Sequence, residues 1–162
     1  MSCQHLGLDL ETWIEEELVD YVRPCLFGPG QLPGLPKTAE FAALARDKDV
    51  GIYPTVSPWP AWAREKICIP DTPLEEIRQM MRRHRDEICN AALQCYAEGA
   101  DGISKFNWDI GGRNRLDRYL GSLAYTRTLL FVHQFLDSPE ALRECLKKEP
   151  SVEAHCTDWD LY

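Results

Sequence analysis

The sequence predicts a parallel α/β fold in which short strands alternate with helices. Three observations point there. Helical periodicities and short β-rich runs alternate along the chain, in the order helix–strand–helix–strand–helix–strand–helix. Strands separated by helices pair in parallel through right-handed crossovers. The composition, 44% hydrophobic and 27% charged over 162 residues, is that of one ordinary globular domain.

Each element carries its own signals. Asp9 is placed to cap a first helix, with Leu10, Trp13, Ile14 and Leu18 at helical spacing. Val19–Arg23 follows as a strand ended by Pro24, and Phe27–Pro36, with three Gly and three Pro, reads as a loop. Thr38 is expected to cap a short helix carrying Phe41, Leu44 and Ala45. Val50–Val56 reads as the second strand, with a bulge or break in the ladder expected at Pro54.

Thr72, Pro73 and Glu75 then form a helix start with capping-box spacing. Apolar positions recur from Leu74 to Cys95, and Gly99 is suited to end the helix in a left-handed conformation. The span is long for this architecture, so a break near Arg82–Asp86 is an option. Gly102–Trp108 reads as the third strand. An apolar helix follows over Leu116–Leu136, and Ser138-Pro139-Glu140 starts a last short one. Three parallel strands leave two open edges.

Several classes of function are disfavoured. The net charge of −8 repels a phosphate backbone, which argues against general nucleic-acid binding. No stretch approaches the roughly 18 apolar residues of a membrane span. Asp9 and Glu11 fall where a secretory signal would be apolar, so a cytoplasmic location is the default expectation. The seven cysteines (3, 25, 68, 89, 95, 145 and 156) are odd in number and contain no C-x-x-C pair, which fits reduced thiols rather than a disulfide framework. Cys3 with His5, and His155 with Cys156, lack zinc-site spacing, so no metal or other cofactor is expected.

The stretch GADGISKFNW, residues 99–108, resembles the last barrel strand of a family of glycoside-hydrolase-like TIM-barrel proteins. LDLETWIEEELVDYVRP (8–24) and LDSPEALRE (136–144) are similar to two other segments of that family; Lys105 departs from its pattern, where an apolar residue is usual. The resemblance implies a partial TIM-barrel-like domain over residues 7–148, matching the last three strand–helix units of a (β/α)8 barrel, with 149–162 as a tail. A complete barrel needs about 250 residues. The chain would then be the C-terminal fragment of a carbohydrate-acting protein. Glycosidic bond hydrolysis would belong to the complete barrel, and the chain would be incomplete as an enzyme by itself.

In such barrels ligands meet the C-terminal ends of the strands. That rule selects Arg23 and Cys25 after the first strand, Thr55, Ser57, Trp59 and Trp62 after the second, and Asn107, Trp108 and Asp109 after the third. Glycoside hydrolysis usually needs two carboxylates, and Asp109 is the one this rule supplies as a catalytic candidate. Trp59, Trp62 and Trp108 offer flat faces to a sugar's C–H groups, or else pack on each other. Asn107 is suited either to hydrogen-bond a hydroxyl or to satisfy backbone at a strand end, and Arg23 is a further substrate-binding candidate.

Lys105 shares a face with Ile103 and Asn107, which either lines the site or faces the helices. Gly111-Gly112-Arg113 is a weak phosphate-site signal. Asp20 and Asp101, at strand starts, suit turn or capping roles, and His84 on an apolar stripe suits the core. The expected partner is a carbohydrate. The alternative is a non-catalytic module that binds carbohydrate or self-associates through its open sheet edges.

Overall fold

The computed structural model describes residues 8–25, 37–56, 73–105 and 120–150. Their elements are α1 (Leu10–Glu15), β1 (Tyr21–Val22), α2 (Thr38–Leu44), β2 (Gly51–Ile52), α3 (Leu74–Ala97), α4 (Leu120–His133) and α5 (Pro139–Lys147). Helix predominates. The sheet has two strands, β1 and β2, paired in parallel with Tyr21 opposite Gly51 and Val22 opposite Ile52.

This corrects the expected fold class. Three strand–helix units of a TIM barrel are not formed among the described residues. As far as Lys105 the third segment forms no strand, and its ladder contact is an isolated parallel bridge, Ser104 with Thr55, just past β2. The reason lies in the hydrogen bonds. Asp101 N donates to Ile52 O and Ser104 N to Pro54 O, both at 2.9 Å, a spacing of three residues on one side against two on the other. In between, the Asp101 carboxylate, not a backbone carbonyl, accepts the Ile52 N–H at 2.8 Å. A regular parallel ladder cannot run through that arrangement. Pro54 lacks an N–H to extend it.

The helix ends follow local chemistry. Asp9 caps α1, accepting from Thr12 N at 3.3 Å and Thr12 Oγ1 at 2.8 Å. Ser138 caps α5, accepting from Ala141 N at 3.1 Å, with Pro139 in the first turn. Gly99 follows α3 with φ +99°, as its sequence position suggests. Thr38 differs from expectation. Lys37 is the cap residue, and Thr38 is buried inside the first turn with its hydroxyl on the Cys95 thiol. The start of α3 also differs: Pro73 is the cap residue rather than the first helical one, and Thr72 lies outside the described residues. α3 has no break at Arg82–Asp86; it is one helix of 24 residues, about 36 Å at about 1.5 Å per residue.

Two apolar clusters carry most of the packing. The larger joins the C-terminal half of α3 (Ile88, Cys89, Ala92, Cys95) to Leu129 and Val132 of α4, Leu136, and Leu142 and Cys145 of α5, with Val56 from beyond β2. The smaller holds Ile14, Ala45, Val50 and Ile52, with Val19, Val22, Phe41 and Leu44 against them. Ile77 and Met81 of α3 form a separate small group. His84 is buried in α3, in keeping with a structural role.

Candidate functional site

The parallel strands set up two faces. Hydrogen bonds from Gly51 N to Asp20 O, Tyr53 N to Val22 O and Thr55 N to Pro24 O, at 2.8–3.0 Å, hold the two segments in register as far as Pro24 and Thr55. Side chains alternate across such a pair. Val22 and Ile52 go down into the smaller core. Tyr21, Arg23 and Cys25 share the other face with Gly51, Tyr53 and Thr55.

That second face is partly open. Tyr21 is 54% exposed and Tyr53 38% exposed. Their rings meet edge to face, with centroids 6.0 Å apart and planes at 89°. The Tyr53 ring lies across two glycines. A Cβ on Gly51 would come within 2.6 Å of its Cε2, and one on Gly102 within 2.9 Å of its Cε1. Any side chain at either position would push the ring off the sheet.

Arg23 lies beside this pair, toward the C-terminal ends of the strands. Its Nε donates to Ser104 Oγ at 2.7 Å, Nη2 donates to the same oxygen, and Nη2 reaches Lys105 O at 3.3 Å. The guanidinium therefore spans from β1 across β2 to the third segment. Ser104 and Thr55 beneath it are buried. The Thr55 hydroxyl meets the Cys25 thiol. Partial burial raises the thiol's pKa, while Thr55 and the Arg23 charge pull it back only in part. Cys25 is thus a neutral thiol at physiological pH, not an activated nucleophile.

Lys105 resolves the two orientations open to it. Its ammonium meets Nε2 of His133 at the end of α4, so it faces the helices.

Of the residues selected from the sequence, Arg23, Cys25 and Thr55 are in the described structure, past the C-terminal ends of the two strands, and Ser57 is outside it. Trp59, Trp62, Asn107, Trp108 and Asp109 lie outside the described residues, as does Gly111-Gly112-Arg113. Trp59 and Trp62 follow in sequence from Val56, and Asn107, Trp108 and Asp109 from Lys105. Sequence reasoning missed Tyr21 and Tyr53. Their signal is the alternation of Tyr21 with Arg23 and of Gly51 with Tyr53, which puts bulk beside a residue without a side chain on one face.

Among the described residues no group of three or more His, Cys, Asp or Glu side chains is arranged to hold a metal ion. No helix there is long and apolar enough to cross a membrane. Comparison with known protein families, with curated proteins and with solved structures finds no match for the chain.

Proposed function

We propose that the chain binds carbohydrate on the open face formed by Tyr21, Tyr53 and Arg23. The observation that carries this reading is the exposed tyrosine pair beside an arginine at the strand ends. An aromatic face accepts the apolar C–H groups of a sugar ring, and a guanidinium offers several donors to its hydroxyls. Gly51 and Gly102 support the reading, because they let Tyr53 lie flat on the sheet. The resemblance of residues 99–108 to a glycoside-hydrolase-like family points to the same ligand class and rests on the residues quoted for it. The proposal is of binding, the role that the described side chains carry.

The test is calorimetric and NMR titration with oligosaccharides of hexose, pentose and N-acetylhexosamine units. Binding by at least one, weakened tenfold or more by Tyr53→Ala and by Arg23→Met, is the expected result. Absence of binding across the panel, or binding that both variants leave unchanged, would overturn it.

A second reading is favoured by one separate observation. Among the described residues β1 has a single neighbour, β2, and Leu18 beside it is 61% exposed. An unpaired edge with apolar neighbours suits association with a second copy of the chain. Sedimentation velocity over a range of concentrations tests it: a dimer is expected, and a monomer throughout would end this reading.

A further inference from the structure

The packing of α5 on α3 brings two cysteines together. Cys89 and Cys145 are both free, both 0% exposed, and both part of the larger core cluster. Their thiols are hydrogen-bonded to each other. Arg85, one helical turn before Cys89, is also buried. It donates to the Lys148 carbonyl just past α5 and pairs with Asp86 at 2.7 Å. Two cations, Arg85 and Lys148, thus act on the sulfur of Cys145, opposed by the Asp86 carboxylate.

We propose that Cys89 and Cys145 are a redox-active dithiol, which a hydroperoxide oxidises to a disulfide that ties α5 to α3. The two thiols have different roles. Cys145 is the more readily ionised of the two: the S–H of Cys89 donates to it, and Arg85 and Lys148 add to the effect, against burial and the Asp86 charge. Cys89 is held as a thiol by that same hydrogen bond and by burial.

The Cys145 thiolate attacks one oxygen of hydrogen peroxide. The O–O bond breaks, and the departing hydroxide takes a proton to become water, which leaves a sulfenic acid on Cys145. The Cys89 sulfur then attacks the Cys145 sulfur. The S–O bond breaks, and the leaving hydroxide takes the Cys89 proton as a second water. Two thiols are oxidised to one disulfide, and one peroxide is reduced to two waters.

Access comes through the end of α5. It is held by the Arg85–Lys148 contact and by the surface pair of Arg82 and Glu149 at 2.8 Å, and opening of this last turn would uncover Cys145. A peroxide is small enough to enter such an opening. Closure requires the sulfurs to approach to about 2.05 Å, with the C–S–S–C dihedral near 90°.

The experiment treats the intact chain with hydrogen peroxide, alkylates it with N-ethylmaleimide under denaturing conditions, and maps the cysteines by mass spectrometry. The expected result is a Cys89–Cys145 crosslinked peptide, reversed by dithiothreitol, and a higher melting temperature for the oxidised protein. Cys89→Ser should leave a Cys145 sulfenic acid that dimedone traps, whereas Cys145→Ser should leave Cys89 unmodified. A map of the wild-type chain in which both residues are alkylated while other cysteines are oxidised would overturn the proposal, and it does so whether or not the variants fold.

Discussion

The Asp101 carboxylate accepts the backbone N–H of Ile52 at 2.8 Å, where a regular third strand would present a carbonyl. One side chain therefore satisfies the outer edge of β2 at its most buried residue. Asp101→Ala leaves that N–H without its acceptor and is expected to cost about 1–3 kcal/mol. Asp101→Asn keeps an acceptor oxygen and should cost less. Urea denaturation of the two variants beside the parent checks the order, and equal losses would show that the acceptor is not what matters.

Gly99 ends α3 at φ +99°, and a Cβ there would come within 2.9 Å of Ala42 Cβ on α2. Gly99→Ala meets both backbone strain and a contact with little room to yield. A loss of about 1–3 kcal/mol is expected, read from the same denaturation series. A loss below a few tenths would mean that α2 moves freely away.

Tyr53 responds differently to its glycines. The atoms a Cβ at Gly51 or Gly102 would meet belong to an exposed ring that can swing away. Gly51→Ala and Gly102→Ala are expected to cost about 1 kcal/mol, at the low end of overpacking, yet to abolish the edge-to-face contact with Tyr21. Ring NOEs between the two tyrosines should vanish in both variants. Their persistence would show that the ring does not need the glycine floor.

Glu149 titrates against Arg82. The hydrogen bond from Arg82 holds its carboxyl below the usual value of 4.5, and the nearby Arg82, Arg85 and Arg78 charges add to this. The folded pKa is depressed, so this pair's contribution is present above the unfolded value and is lost as pH falls through the folded one. Melting temperature should therefore drop more steeply below about pH 4.5 in the parent than in Glu149→Gln. Because both groups are at the surface, the difference should shrink in high salt. Parallel slopes for parent and variant would remove the pair from the account of acid stability.

Local signals in the sequence were legible where one residue decides the conformation. Asp9, Gly99 and Ser138 each act within a turn of their own position, and each does what its type suggests. Thr38 misled, because a threonine before a helical run suits a cap equally well as a buried hydroxyl, and the Cys95 thiol that takes it lies 57 residues away in the chain. The third strand misled for a related reason. GISKFNW has the composition of a strand, but pairing is decided by partners, and over its described part, Gly102–Lys105, the Asp101 side chain displaces the ladder. At the candidate site, the strand-end rule selected Arg23, one residue past β1. It passed over Tyr21, which stands on β1, and Tyr53, because the sequence reads Val50–Val56 as one strand whereas β2 ends at Ile52.

The length of α3 has a dynamic consequence. Its two halves rest on separate supports: Ile77 and Met81 on a small group near the start, and Ile88 to Cys95 on the main cluster. A rod held this way need not loosen all at once. Amide exchange should divide it into two cooperative blocks, with the stretch before His84 opening at lower free energy than the stretch after Ile88. The slow block would then mark the part of the chain that outlasts the rest as the fold comes apart.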